Sequence, residues 1–387
     1  MKKILVISKT NPNVSPRPNR MVNWLKDQYE VEVVGTSKLN MDGIRSYVIE
    51  LFWRAKNIRE LLSLLKRIIV RNFDMLTRNY GEVNWSRLGN ARKLVSELDG
   101  KKYDLIISHD LVLLPLAFAI KAGKTPVMLD AREYYPMNFN DQWLWRIRGK
   151  PVNEYLCREY LHRCDKVITV SDGLANEYKQ VYDVQPEVIM SLPAGRDIQP
   201  SHPQPDHIRL IHHGGAARSR KIETMIEMMD HVDERFTLDL MLVIRDVKNH
   251  QRIVSLAEKR KNVRVVSPVP MPEIVSTINQ YDIGLFLVPP ANFNLEFTLP
   301  NKLFEFIQAR LAVAIGPSVE MKKIVEKFDC GIVSKDFNPI SLAQELNQLT
   351  SEKIMYFKAN SHKAAQELNA ETNAIRIRQI VQDLLEN

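Results

Sequence analysis

Short apolar runs, each ending in a polar loop and followed by helical spacing, recur along this chain in two successive series. Runs of this length and apolarity fit strands buried on both faces of a parallel sheet. The first series is Lys2–Ser8 (KKILVIS), Val31–Gly35, Asp104–Ser108, Val127–Asp130 and Lys166–Val170. Gln199–His207 then places three prolines in nine residues, a break that neither helix nor strand tolerates. Beyond it the pattern restarts with Arg209–His212, Asp239–Val243, Val263–Val266, Ile283–Phe286, Ala312–Ile315 and Gly331–Val333. The expected fold class is therefore α/β, with two Rossmann-like doubly wound domains at 1–198 and 208–372 and a Pro-rich linker at 199–207. A chain of 387 residues is long enough for two such cores.

Composition narrows the function classes. The net charge of +8 lies wholly in the first half: residues 1–197 hold 31 Lys+Arg against 23 Asp+Glu, and residues 198–387 hold 23 of each. Leu51–Asn72 (LFWRAKNIRELLSLLKRIIVRN) concentrates six cations against Glu60 alone, interleaved with leucine and isoleucine. That pattern fits either a solvated helix face or a helix lying on an anionic membrane surface. No aromatic-basic motif for nucleic acid is present. Three cysteines without a CxxC pair argue for a reducing compartment and against a zinc site. The opening MKKILVIS is too short for a signal-peptide core. The expectation is a soluble, cytoplasmic protein, peripheral at the inner face of the cell membrane if the amphipathic segment binds lipid.

Ligands of open parallel sheets bind at the carboxyl ends of strands, where helix N-termini offer unpaired N–H groups to anions. Several loops qualify. His213-Gly214-Gly215 is followed by Arg218, Arg220 and Lys221, which fits a diphosphate-binding loop or a simple turn. Leu299–Glu305 (LPNKLFE) places Pro300 at a helix start, with Asn301, Lys302 and Leu303 in the first turn. Glu305 lies further in, where a carboxylate could accept from two vicinal hydroxyls or simply be solvated. In the first half, Ser108-His109-Asp110 and Asp130-Ala131-Arg132-Glu133 end neighbouring strands, so His109 is either a functional or a structural histidine.

Together these segments resemble family 4 glycosyltransferases of the GT-B fold, a retaining, nucleotide-sugar-dependent group. HHGGAARSRKIETMIEMM resembles that family's Gly-rich loop, and PVPMPEIVSTINQYDIGLFLVP with LPNKLFEFIQARLAVAI its donor-site strand, loop and helix. DLIISHDLVLLPLAFAI, VMLDAREYYP and CDKVITVSDGLANEY resemble its acceptor-domain segments. The resemblance implies a nucleotide-sugar donor, UDP- or GDP-linked, and a cell-envelope glycan or lipid-linked acceptor. It implies a donor site of Gly214, Gly215, Arg218, Arg220, Pro300, Asn301, Lys302, Leu303 and Glu305, with Glu305 on the ribose and Arg220 on the diphosphate. The first glutamate of the family's pair would fall at Phe297, with Glu296 out of register. His109 matches the active-site histidine that orients the donor sugar, so His109, Glu305 and Arg220 are the expected catalytic set. No cofactor or metal is expected. The family's glycine-rich first loop is replaced by one containing Asn11, Ser15, Arg17 and Arg20. With Asp130, Arg132 and Glu133, these form the expected acceptor side for a substrate carrying its own anionic group. A terminal helix at about 374–385 is expected to cross back onto the first domain, with a cleft between the two domains.

Two alternatives share the architecture or the binding chemistry: a nucleotide-sugar 2-epimerase, and a non-catalytic sugar-binding or partner module. A dinucleotide-dependent dehydrogenase is excluded, because SKTNPNVSPRPN stands where its GxGxxG would follow the first strand.

Overall fold

A computed structural model describes residues 1–51, 68–244 and 246–386. The amphipathic segment expected at Leu51–Asn72 lies mostly outside the described residues, which resume at position 68. Two compact units are present. Unit 1 takes the chain up to Met190, Asn292–Asn294, and the chain from Ala374 onward; unit 2 takes Ser191–Ala291 and Leu295–Asn373. The chain thus leaves unit 1 at Met190, and the Pro-rich stretch 199–207 lies within unit 2.

Unit 1 is built on a parallel sheet of β1 (Lys3–Ile7), β2 (Glu30–Gly35), β3 (Arg45–Val48), β4 (Leu105–Ser108), β5 (Val127–Ala131), β6 (Lys166–Thr169) and β7 (Glu187–Val188). Its spatial order is β3-β2-β1-β4-β5-β6-β7. β1 sits in the interior of the sheet between β2 and β4, and Ile4 to Ile7 are fully buried, as an apolar strand covered on both faces must be. The short edge strands β3 and β7 were not expected; four and two residues carry no readable periodicity. The first helix was expected at about 20–28 and runs Pro16–Leu25. Pro16 and Pro18, which read as loop, are compatible with a first helical turn because their missing N–H would be unpaired there anyway.

The helix Ala370–Glu386 closes unit 1. Ile377, Ile380 and Val381 enter the cluster that contains Ile4, Val6, Leu25 and Val31, each buried side chain contributing ~1.5–3 kcal/mol. Arg378 Nε donates to Trp24 O at 2.8 Å, and Arg376 pairs with Glu187.

Unit 2 has β8 (Ile208–Gly215), β9 (Phe236–Val243), β10 (Val263–Val266), β11 (Ile283–Phe286), β12 (Ala312–Ile315) and β13 (Gly331–Val333), all parallel, in the order β10-β9-β8-β11-β12-β13. β8 was expected to end at His212. It continues through the glycine pair, because its register with β9 holds to Gly215 opposite Val243. Both sheets reverse the direction of strand addition once, between β1 and β4 and between β8 and β11. These are the switch points at which a doubly wound sheet leaves a crevice for ligand.

Candidate active site

At the switch point of unit 1, the ends of β1 and β4 are stitched together by His109 N, which donates to Ile7 O at 2.9 Å. The His109 side chain is fully buried. Its Nδ1 lies 2.7 Å from Asp130 Oδ2, at the end of β5. The same oxygen accepts from Arg17 Nε at 2.6 Å, and Arg17 Nη1 donates to Ile189 O at 2.8 Å. Burial alone would raise the Asp130 pKa, but the Arg17 charge and the His109 contact hold the carboxyl well below its usual range. An ionised Asp130 at 2.7 Å favours the His109 tautomer that carries its proton on Nδ1. His109 Nε2 is buried and has no hydrogen-bond partner among the described residues. The imidazole is therefore oriented, with one nitrogen available.

A second group surrounds Asp110, which pairs with Lys9 Nζ at 2.8 Å and Arg132 Nη2 at 3.0 Å. Burial and the Asp110 charge push the Tyr135 hydroxyl well above its ordinary pKa. Glu133 keeps solvent contact, but its carboxyl is crowded by protein. That burial raises its pKa, against the pull of Arg132. Asn138 Nδ2 donates to it at 2.6 Å.

Of the acceptor-side residues expected from sequence, Asp130, Arg17, Arg132 and Glu133 fall in these two groups. Arg17 is held by Asp130 and a carbonyl rather than left open to an anion. Asn11 serves its own loop, where Oδ1 accepts from Asn13 N at 2.9 Å and Ser37 Oγ at 2.7 Å. Ser15 is the N-cap residue of helix Pro16–Leu25, and Arg20 follows Arg17 by one turn. Lys9 and Tyr135 were missed; only their position just beyond strand ends could have marked them.

At the switch point of unit 2, His212 Nδ1 is 2.9 Å from Leu285 O, across from β8 to β11. A carbonyl can only accept, so Nδ1 carries the proton and Nε2 is left as an acceptor. Lys302 Nζ lies 3.3 Å from that Nε2 and 5.2 Å from the Phe286 ring centre. Burial, and then the Lys302 charge, keep His212 well below its ordinary pKa. Lys302 itself is brought down to about 7, first by burial and then by the Arg220 charge, with Glu305 opposing.

Gly214 has φ 118°, and a Cβ there would stand 3.2 Å from Lys302 Nζ. Glycine thus satisfies both the backbone and the space. His213 Nε2 is 3.4 Å from Glu305 Oε2; burial and Lys302 lower its pKa to about 3, so the imidazole is uncharged and the contact is not an ion pair. His212 was not among the sequence candidates.

Pro300 is the N-cap residue of helix Asn301–Gln308, one position before the helix proper. Asn301 and Lys302 open the first turn, whose N–H groups lack intrahelical partners. Leu303 is fully buried, so its side chain belongs to the core. Arg218 is exposed and Arg220 half-buried in the short turn after β8, and Gly215 faces open space.

Residues 21–200 match the model of Glycosyltransferase Family 4. No curated protein matches the chain. Among solved structures, a sucrose-phosphate synthase from Thermosynechococcus elongatus superposes with TM-score 0.72 at 12% identity, covering 100% of both chains. Anabaena Alr3699/HepE in complex with UDP-glucose gives 0.69 at 13%, over 99% of this chain and 100% of that one. WaaG, a glycosyltransferase involved in lipopolysaccharide biosynthesis, gives 0.61 at 14%, over 96% and 99%. The fold is GT-B, and within the first half the chain is similar to family 4 glycosyltransferases over residues 21–200.

Proposed function

We propose that this glycosyltransferase moves a sugar, with retention, from a nucleoside-diphosphate donor to a cell-envelope glycan or lipid-linked acceptor. The observation that carries the reading is the cationic floor of unit 2: Lys302 beneath Gly214, with Arg220 close enough to depress its pKa. Two cations and unpaired helix N–H groups beside a glycine make an anion site, and a diphosphate is the anion a nucleotide sugar presents. Glu305, set back along the same helix, is placed in this reading on the ribose hydroxyls.

As the bond between the sugar C1 and the diphosphate breaks, negative charge grows on the leaving oxygen. Lys302, Arg220 and the helix N–H groups stabilise it there, without reorganising. The acceptor hydroxyl forms the new C1–O bond, and its proton passes to the departing diphosphate oxygen. Asp130 and Asp110 are each held by two basic groups, so neither is assigned the part of a nucleophile. His109, oriented by Asp130, hydrogen-bonds the donor sugar through Nε2. In this reading the neutralising charge comes from side chains, and turnover is insensitive to chelators.

The acceptor is placed at a membrane surface. The entire charge surplus lies in the half similar to family 4 glycosyltransferases, and Leu51–Asn72 has the composition of an interfacial helix. Among the described residues, no helix is long and apolar enough to cross a membrane.

A thermal-shift panel of nucleotide sugars tests the donor half, since a ligand at 100 times its Kd adds ~2.7 kcal/mol of stability. Silence across UDP- and GDP-sugars would refute it. Product analysis separates transfer from the two alternatives. Release of an epimeric sugar without acceptor would make the protein a 2-epimerase, and binding without hydrolysis or transfer would make it a sugar-binding module.

A further inference from the structure

We propose that helix Trp143–Arg148 is a membrane-contact element of unit 1, seating Trp143, Leu144 and Ile147 in the headgroup region of an anionic bilayer beside the acceptor side. The inference rests on the membrane-borne acceptor proposed for this enzyme and adds a site that neither the charge pattern nor the comparisons mark.

The helix reads WLWRIR. At about 100° per residue, Trp143, Leu144 and Ile147 share one arc of about 100°, and Arg146 and Arg148 flank it on either side. Their exposures are 64%, 50% and 58%, unusual for three large apolar side chains on one face. Trp145 points the other way. It packs edge-on to Phe139, ring centres 5.4 Å apart, and fills the space that a Cβ on Gly149 would need. Phe139, itself exposed, has φ 57°, a left-handed conformation that costs a non-glycine residue ~1–3 kcal/mol and is retained where surroundings enforce it.

The surface extends beyond this helix. Residues 68–76 are helical, and Ile69, Val70, Phe73 and Leu76 fall on one exposed arc, Phe73 at 62% and Leu76 at 84%. The two helices meet at Arg87. Its Nη2 donates to Arg148 O at 2.9 Å, and Arg71 lies near enough that, after burial, its charge lowers the Arg87 pKa. Two helices distant in sequence thereby both approach Arg87 on unit 1.

Charge selects the occupant. From Asp141 to Glu154 the chain carries Arg146, Arg148 and Lys150 against two acids; Glu154 lies 3.8 Å from Lys150, which leaves Arg146 and Arg148 as the cations beside the apolar face. An exposed tryptophan with aliphatic neighbours and flanking arginines matches the interface of an anionic bilayer, where indole and guanidinium both find polar partners. The location also serves the acceptor. Glu133, at the end of β5, is bonded to Asn138, five residues before the helix begins at Trp143. A lipid-linked substrate entering here would bring its polar head toward Arg132 and Glu133.

The test uses the full chain with vesicles of phosphatidylcholine containing phosphatidylglycerol, against phosphatidylcholine alone. Replacing Trp143, Leu144 and Ile147 by Ser is expected to lower partitioning to the anionic vesicles about tenfold or more while leaving the stabilisation by UDP-glucose unchanged. Brominated lipid is expected to quench the wild-type tryptophan fluorescence, and Trp143→Phe, which preserves the fold, to remove most of that quenching. A triple variant that partitions like wild type overturns this inference and leaves the membrane reading standing. Wild-type protein that fails to partition at low salt overturns both. Unquenched fluorescence with a triple variant of lowered Tm overturns it as well, because the face would then be covered by protein.

Discussion

If Lys302 holds the donor diphosphate, donor affinity must depend on pH in a way that an ordinary lysine would not produce. The ammonium sits against the unprotonated Nε2 of His212 and the Phe286 ring, with Arg220 repelling it and only Glu305 opposing. Its pKa of about 7 in the free protein leaves most molecules uncharged there at pH 8. A diphosphate diester carries two fixed charges and favours the ammonium, so binding at pH 8 should take up ~0.9 proton per donor. Affinity should be level below pH 7 and fall ~10-fold per unit above it, or ~1.4 kcal/mol per unit. UDP-glucose does not titrate in this range, so calorimetric titration in two buffers of different ionisation heat reads the proton count directly. Lys302→Arg, charged throughout, should bind without proton uptake and without the slope. UDP-glucose that binds wild-type protein with level affinity from pH 6 to 9 would refute the assignment. The same shift acts on folding. The unfolded lysine keeps its proton up to about 10.5, so between pH 7 and 10.5 the unfolded chain binds more protons and this group's contribution to stability rises with pH.

His109→Ala should reduce turnover by ~10²–10³, the cost of one oriented hydrogen-bonding group, with UDP-glucose affinity within about twofold; unchanged turnover would remove His109 from the chemistry. Glu305→Ala and Arg220→Ala should each weaken donor binding by ~1–3 kcal/mol, read as lost thermal stabilisation by nucleotide sugar. Asp130→Asn leaves the buried Arg17 without its carboxylate and should cost ~3–5 kcal/mol in denaturant unfolding. Because the folded pKa of Asp130 is depressed, its stabilising contribution is present above pH ~4 and is lost as pH falls further; a variant as stable as wild type at pH 7 would show that Arg17 is satisfied by Ile189 O alone.

The interior strands Ile283–Phe286 and Ala312–Ile315 were legible to the residue because burial on both faces leaves an unbroken apolar run; the edge strands Val263–Val266 and Gly331–Val333 also match their expected bounds. Signals failed where side-chain pattern and backbone need diverge. Gly214 and Gly215 read as loop, yet they continue β8, because pairing with β9 is made by backbone alone. Pro16 and Pro18 read as loop but lie in the first turn of a helix, where a missing N–H costs nothing.

The site was legible to the extent that one residue carries its own chemistry. A lysine in a helix's first turn, a histidine after a strand and a glutamate one turn on are visible one at a time. What makes them a site is pairwise and crosses the fold. His212 and Lys302 are ninety positions apart, and His212 gains meaning only when Leu285 O, on the strand beyond the switch point, accepts from its Nδ1–H and leaves Nε2 facing the ammonium. The same holds for Arg17, whose sequence position promised an anion-binding group. A carboxylate 113 positions away neutralises it and turns it into the support that holds Asp130 charged and His109 aimed. In a doubly wound sheet these partners arrive from elements that strand order brings together, so that order, which no local pattern encodes, determines whether a basic residue meets a ligand or a carboxylate.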